Sequence, residues 1–192
     1  MCIHEVIYVL TDVAVAIIML FTWKTTLLFV TFATLILFQL NWLMLGHTLP
    51  IKKTIDYSTS ETNFLQFWIK IAVFIGVLLP GVAFLVWHDY PEPRKIMGFY
   101  LVVLIVQIVA ESILSRVLFP SLVVITGTIY TVFRICQLWQ GQQLVMAAAQ
   151  INNHNLIFFS SLLWLLLLFW SSNLIVIFAV SWPNILSKRS FD

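Results

Sequence analysis

Six apolar runs, each about as long as a bilayer is thick, constrain this chain more than any other feature. They fall at residues 6–23, 27–45, 64–87, 96–119, 122–139 and 156–180. An α-helix rises about 1.5 Å per residue, so about 20 apolar residues cross the ~30 Å hydrocarbon core. Composition agrees. Of 192 residues, 61% are hydrophobic and 9% charged, against about 45–50% and about 25% in an ordinary soluble domain. A soluble domain of this size has too much surface to cover with so few charges. A soluble enzyme and a disordered chain are therefore excluded. The net charge of +2 falls short of the clustered basic face that nucleic acid requires. The expected fold is all-α: a polytopic helical membrane protein with about six transmembrane helices, short loops and both termini on the same side. Residues 1–192 form one integral membrane domain on this reading.

Residues 6–45 cannot be one helix, because about 40 residues at 1.5 Å each would span ~60 Å. The chain must turn near Lys24, although no glycine or proline marks the place. Residues 1–23 carry no Lys or Arg in the opening MCIHEV and no small-x-small cleavage site, so they read as part of the mature chain rather than a signal peptide. Residues 46–63 are the most polar stretch and read as a loop. The third run carries Pro80–Gly81, where a missing backbone N–H kinks the axis. Residues 88–95 form a turn with two prolines. Pro120 and Ser121 connect the fourth and fifth spans tightly enough to make them antiparallel neighbours. Residues 142–150 are rich in helix formers, which extends the fifth helix beyond the membrane. Trp23, Trp42, Trp68, Trp87, Trp139 and Trp182 fall near the proposed boundaries, as interfacial tryptophans do. Trp164 and Trp170 lie mid-span and break that pattern.

Loops on the side of the termini hold Lys52, Lys53, Lys188 and Arg189, and the opposite loops hold Lys24, Arg94 and Lys95. Adding side chains able to snorkel brings Lys70 and Arg116 to the first side and Arg134 to the second. The positive-inside rule then places both termini on the cytoplasmic side, in a cytoplasmic or organellar inner membrane. Cys2 and Cys136 show neither CxxC nor zinc-site spacing, so no disulfide or metal is expected.

Ionisable groups inside spans are costly and often functional. Asp12, Lys70, Glu111, Arg116 and Arg134 qualify. On the fourth run Gln107, Glu111 and Ser115 recur every four residues and share a face. On the fifth run Thr126, Tyr130, Arg134, Gln137 and Gly141 do the same at steps of three or four. The facing spans bring these stripes together, with Arg134 about one turn beyond Glu111 and within reach of it. The candidate intramembrane polar cluster is Asp12, Lys70, Gln107, Glu111, Ser115, Arg116, Tyr130 and Arg134. Four of its ionisable members, Asp12, Lys70, Glu111 and Arg116, fall in one layer, two acids with two bases. Such a cluster serves either as glue between helices or as a solute or catalytic site.

The histidines, His4, His47, His88 and His154, carry no HxxxH or HExxH spacing and read as interfacial groups. The segment Glu111-Ser-Ile-Leu-Ser-Arg116 resembles, over six residues, the Glu-Glu-x-x-x-Arg motif of prenyl-endopeptidase-like intramembrane proteases. One Glu stands where that family has two, the arginine is one position further on, and the later spans hold no histidine. No catalytic role carries over. Three functions follow in order. The first is a non-enzymatic scaffold, assembly factor or complex subunit with a buried polar seam between the fourth and fifth helices. The second is a small-solute or ion carrier using the charged layer around Glu111. The third is an intramembrane enzyme acting on a lipid or peptide bond. The expected partners are the lipid bilayer and other membrane subunits, with no nucleic acid and no cofactor.

Overall fold

The computed structural model describes residues 22–46, 48–149 and 154–186. The first helix, α1 (Trp23–Leu45), is started by Thr22, which is extended at φ −128° and ψ 150° and whose side chain accepts from the Thr25 N–H. A side-chain oxygen there satisfies a backbone donor the first turn cannot. The break therefore falls at Thr22, just ahead of the expected turn near Lys24, and Trp23 and Lys24 belong to the second run. The expected first span, with Asp12, lies outside the described residues.

The second helix, α2 (Thr59–Val86), begins five residues ahead of the apolar run that predicted it. A capping box explains the difference. The Ser58 side chain accepts from the Glu61 N–H at 3.3 Å, and Glu61 Oε2 accepts from the Ser58 N–H at 2.8 Å, so two otherwise orphaned donors are satisfied reciprocally. Inside α2 a single π turn, Phe74–Leu78, interrupts the α-helix.

Next come α3 (Pro91–Val117) and α4 (Ser121–Ala149). Proline tolerates the first helical position because its missing N–H has no partner there anyway, which lets α3 start ahead of the predicted 96. The extension of α4 to Ala149 follows from the helix-forming composition of residues 142–149. The last rod, α5, is His154–Val176 continued by a π turn, Ile177–Ser181, and a final turn, Trp182–Ile185. Each π turn is followed by a proline at the same register, Pro80 and Pro183.

Among the described residues, five helices are long and apolar enough to cross a membrane, not six. The chain is an all-α, multi-pass integral membrane protein in contact with lipid. Within the bundle α4 is central: 56% of its spanning window is buried, against 17–33% in the others. The main core joins Met97, Tyr100 and Leu104 of α3 to Leu138 and Val145 of α4 and to Phe159, Leu163, Leu166 and Trp170 of α5. Helix α1 is peripheral. It buries only Thr26, Ala33, Leu37 and Met44 and meets α4 through Phe29, stacked on Phe133 at 3.7 Å and edge-on to Tyr130 at 5.1 Å. The 46–58 loop is tied back to the end of α5, where the Lys52 N–H donates to the Ile185 carbonyl at 2.8 Å.

Candidate functional site

Arg134 is the largest fully buried side chain among the described residues, with none of its surface exposed. A lone cation in hydrocarbon is expensive, so its neighbours decide what it does. One guanidinium nitrogen, Nη2, donates to Gln107 Oε1. Gln107 Nε2 in turn donates to Glu111 Oε1 at 2.7 Å. The two α3 residues are four apart, so one helix face presents both. Across from them Gly127 of α4 has no side chain, and a Cβ placed there would lie 3.8 Å from Glu111 Oε1. Gln107 thus stands between acid and base and passes the hydrogen bond along.

The other side of Arg134 is aromatic. Its guanidinium carbon lies 3.9 Å from the Trp170 ring centroid and 5.6 Å from that of Tyr100. Away from water, a cation over a ring face is worth about 2 kcal/mol. Trp170 Nε1 donates to the Tyr100 hydroxyl at 2.8 Å, and that hydroxyl donates to the Gly76 carbonyl at 2.7 Å. The π turn and Pro80 explain the last contact. In an α-helix the Gly76 carbonyl would accept from the N–H of residue 80, and proline has none; the Tyr100 hydroxyl takes that place. Gly76 also makes room for Trp170 against α2, since a Cβ there would sit 2.7 Å from Trp170 Cζ2. Four helices therefore meet around one guanidinium.

Further polar contacts stitch three of these helices, α2, α4 and α5. Trp68 Nε1 donates to Asn173 Oδ1 at 2.7 Å, and Asn173 Nδ2 reaches Thr131 Oγ1 at 3.4 Å. Trp182 Nε1 donates to Thr128 Oγ1 at 3.1 Å, and Asn184 Nδ2 to Glu61 Oε1 at 3.1 Å. Gln142, oriented to suit its neighbours, accepts from Ser160 Oγ at 2.6 Å and Trp164 Nε1 at 2.8 Å.

Of the residues singled out from sequence, the structure brings Gln107, Glu111 and Arg134 together. Tyr130 is buried one turn from Arg134, against Phe29. Asp12 lies outside the described residues. Lys70, Ser115 and Arg116 are exposed on the outside of the bundle, and Ser115 Oγ donates to its own helix at the Ser112 carbonyl. Among the described members of the expected layer, Lys70 and Arg116 do not join Glu111. Helix α2 packs through Trp68, Ile71, Ala72 and Ile75, a stripe at helical spacing that leaves position 70 on the opposite face. Arg116 lies five residues past Glu111, well round the helix from it. Both basic side chains can reach an interface by snorkelling.

Sequence reasoning missed Tyr100, Gly76 and the role of Trp170. The signal present was Trp170 itself, an indole far from either boundary, whose N–H needs a partner when buried. His88 pairs with Asp89 at 3.0 Å on the exposed turn before α3. Among the described residues no group of three or more His, Cys, Asp or Glu side chains is arranged to hold a metal, and Cys136 is a free, exposed thiol. No protein-family model, no curated protein and no solved structure matches the chain.

Proposed function

We propose that this protein is a non-enzymatic membrane scaffold, assembly factor or complex subunit whose buried polar seam holds α2, α3, α4 and α5 in one arrangement. The observation that carries this reading is the way Arg134 is used. Its guanidinium is closed in by Gln107, Trp170 and Tyr100, so a charge that is the only fully buried one among the described residues binds helices to each other. In lipid there is no hydrophobic drive to pair helices, and such polar contacts, with close packing, supply the cohesion. The rest of the outer surface is left to lipid and to partner subunits of the same membrane. The apolar residues ahead of Thr22 add a sixth span on this reading, and both termini lie on the cytoplasmic side. Because Arg134 is buried, it does not reach the opposite interface, and the basic residues then stand six to three in favour of that orientation.

Purification in a mild detergent with crosslinking tests the reading. A defined membrane partner recovered in fixed stoichiometry supports it. A monodisperse monomer with no partner, from native membranes, overturns it.

One observation favours a second reading, a small-solute or ion carrier. Arg134 Nε and Nη1 and both amide atoms of Gln137, on the next turn of α4, are buried without a hydrogen-bond partner. Those groups supply donors and an acceptor for a small polar solute passing Glu111. Flux into liposomes that falls with Glu111→Gln supports this reading, and flux indifferent to the change removes it.

A further inference from the structure

A crevice of about 660 Å³ runs down the outside of the bundle between α1, α2 and α3. Its volume lies in the range of small-molecule sites, about 300–1,000 Å³. The walls are apolar, built from Phe84, Phe99, Leu101, Val102 and Ile105, and Trp23 closes one side by an edge contact with Phe99 at 5.3 Å. The mouth is different in kind. Arg94 and Lys95, both exposed, stand there with Glu92 at the first turns of α3, so the mouth carries one net positive charge. Neither Arg94 nor Lys95 forms an ion pair with a described residue.

Depth identifies the occupant. From Arg94 to Ile105 along α3 is about 16 Å at 1.5 Å per residue, and half of a ~30 Å hydrocarbon core is about 15 Å. The crevice is one leaflet deep, apolar along its length and cationic where the headgroups lie. A lipid of that leaflet carries its charge at one end and hydrocarbon along the rest, which is the distribution the crevice presents. The geometry points to a binding site for one anionic phospholipid, its phosphate against Arg94 and Lys95 and an acyl chain lying along Phe99, Val102 and Ile105. This site is on the outer face, separate from the Arg134 seam, and does not depend on the proposed function.

The test uses the full chain, delipidated in neutral detergent and returned to phosphatidylcholine vesicles containing a trace of phosphatidylglycerol with a diazirine on its acyl chain. After illumination, adducts are mapped by mass spectrometry. The expected result is labelling concentrated on residues 99–105, displaced by unlabelled phosphatidylglycerol and not by added phosphatidylcholine. Each basic residue near a membrane surface strengthens anionic lipid binding about fivefold, so Arg94→Gln with Lys95→Gln is expected to weaken that competition about 25-fold. Val102→Trp, which fills the crevice and leaves both charges, is expected to abolish the labelling. Lys52→Gln with Lys53→Gln, in the loop at the other membrane face, is expected to leave it unchanged. Equal displacement by phosphatidylcholine overturns the proposal. So does labelling spread evenly over the exposed faces of α1 and α3. An unlabelled 99–105 stretch, with residues 1–21 or a second copy of the chain in the crevice, overturns it as well.

Discussion

The Arg134 guanidinium lies 3.9 Å over the Trp170 ring, and its direct polar partner is an amide, Gln107, with no carboxylate of the described residues in ion-pair range. The charge is thus balanced by an indole face and by Glu111 at one remove. Such an arrangement makes the two side chains interdependent. Trp170→Leu leaves the cation above an aliphatic chain and is expected to destabilise the bundle strongly. In an Arg134→Leu background, itself often near neutral because a similar apolar volume replaces a buried charge, the same change removes packing and the hydrogen bond to Tyr100 but no cation contact. The difference, about 2 kcal/mol for a desolvated cation–π contact, is read from a double-mutant cycle of unfolding midpoints in detergent and SDS. Additive effects, within about 0.5 kcal/mol, would show that the ring and the cation do not interact.

Two glycines of α2 make a controlled pair. At Gly76 a Cβ would lie 2.7 Å from Trp170 Cζ2, while at Gly81 it would meet nothing within 4 Å. The Trp170 ring is held by its hydrogen bond to Tyr100 and has little freedom to withdraw. Gly76→Ala is expected to cost about 1–3 kcal/mol by overpacking. Gly81→Ala is expected to be neutral or to stabilise by up to about 1 kcal/mol, the helix-propensity gain. The same unfolding assay compares them, and equal effects would count against the tight α2–α5 contact.

Much of this architecture is legible in the residues, and the limits have physical causes. Apolar runs of bilayer length announce the spans. Pro120 forces α3 and α4 to be neighbours, so the four-residue spacing of Gln107 and Glu111 was enough to set them against Arg134. Helix starts were less legible, because Thr22 and Ser58 act through side-chain caps that a hydropathy pattern does not register. Depth alone puts Lys70 in the cluster; depth says nothing about which side of the helix faces inward, and the Trp68–Ile71–Ile75 stripe decides that. The Tyr100–Trp170–Gly76 contact joins three helices far apart in sequence, and no local period encodes it.

The proposed orientation puts the loop before α2 and the turn before α3 on opposite sides of the membrane. Thr54 and Asp89 are both exposed there. In a chain with Cys2 and Cys136 changed to serine, Thr54→Cys is expected to react with a membrane-impermeant maleimide only once the cytoplasmic face is opened. Asp89→Cys is expected to react in intact cells or organelles. The reverse pattern would invert the topology, and labelling of both from one side would break the alternation of α1, α2 and α3 as spans.

Pro80 and Tyr100 answer each other. Proline withholds the N–H that an α-helix would offer the Gly76 carbonyl, and the Tyr100 hydroxyl donates to that carbonyl at 2.7 Å. Tyr100→Phe keeps the ring over Arg134 but leaves the carbonyl unserved and takes the acceptor from Trp170 Nε1. A buried polar group left without its partner costs about 1–3 kcal/mol. Pro80→Ala restores a backbone donor at the residue that proline had emptied, so the carbonyl no longer depends on the phenol. Tyr100→Phe is therefore expected to cost less in a Pro80→Ala background than in the native chain, by about 1 kcal/mol, with the residual loss assigned to Trp170. Infrared spectroscopy of a 13C-labelled Gly76 carbonyl gives an independent reading. Its amide I band is expected to shift up in Tyr100→Phe and to return in the double variant. A band that stays put in the single variant would mean that the hydroxyl does not serve this carbonyl, and the π turn would then need another cause.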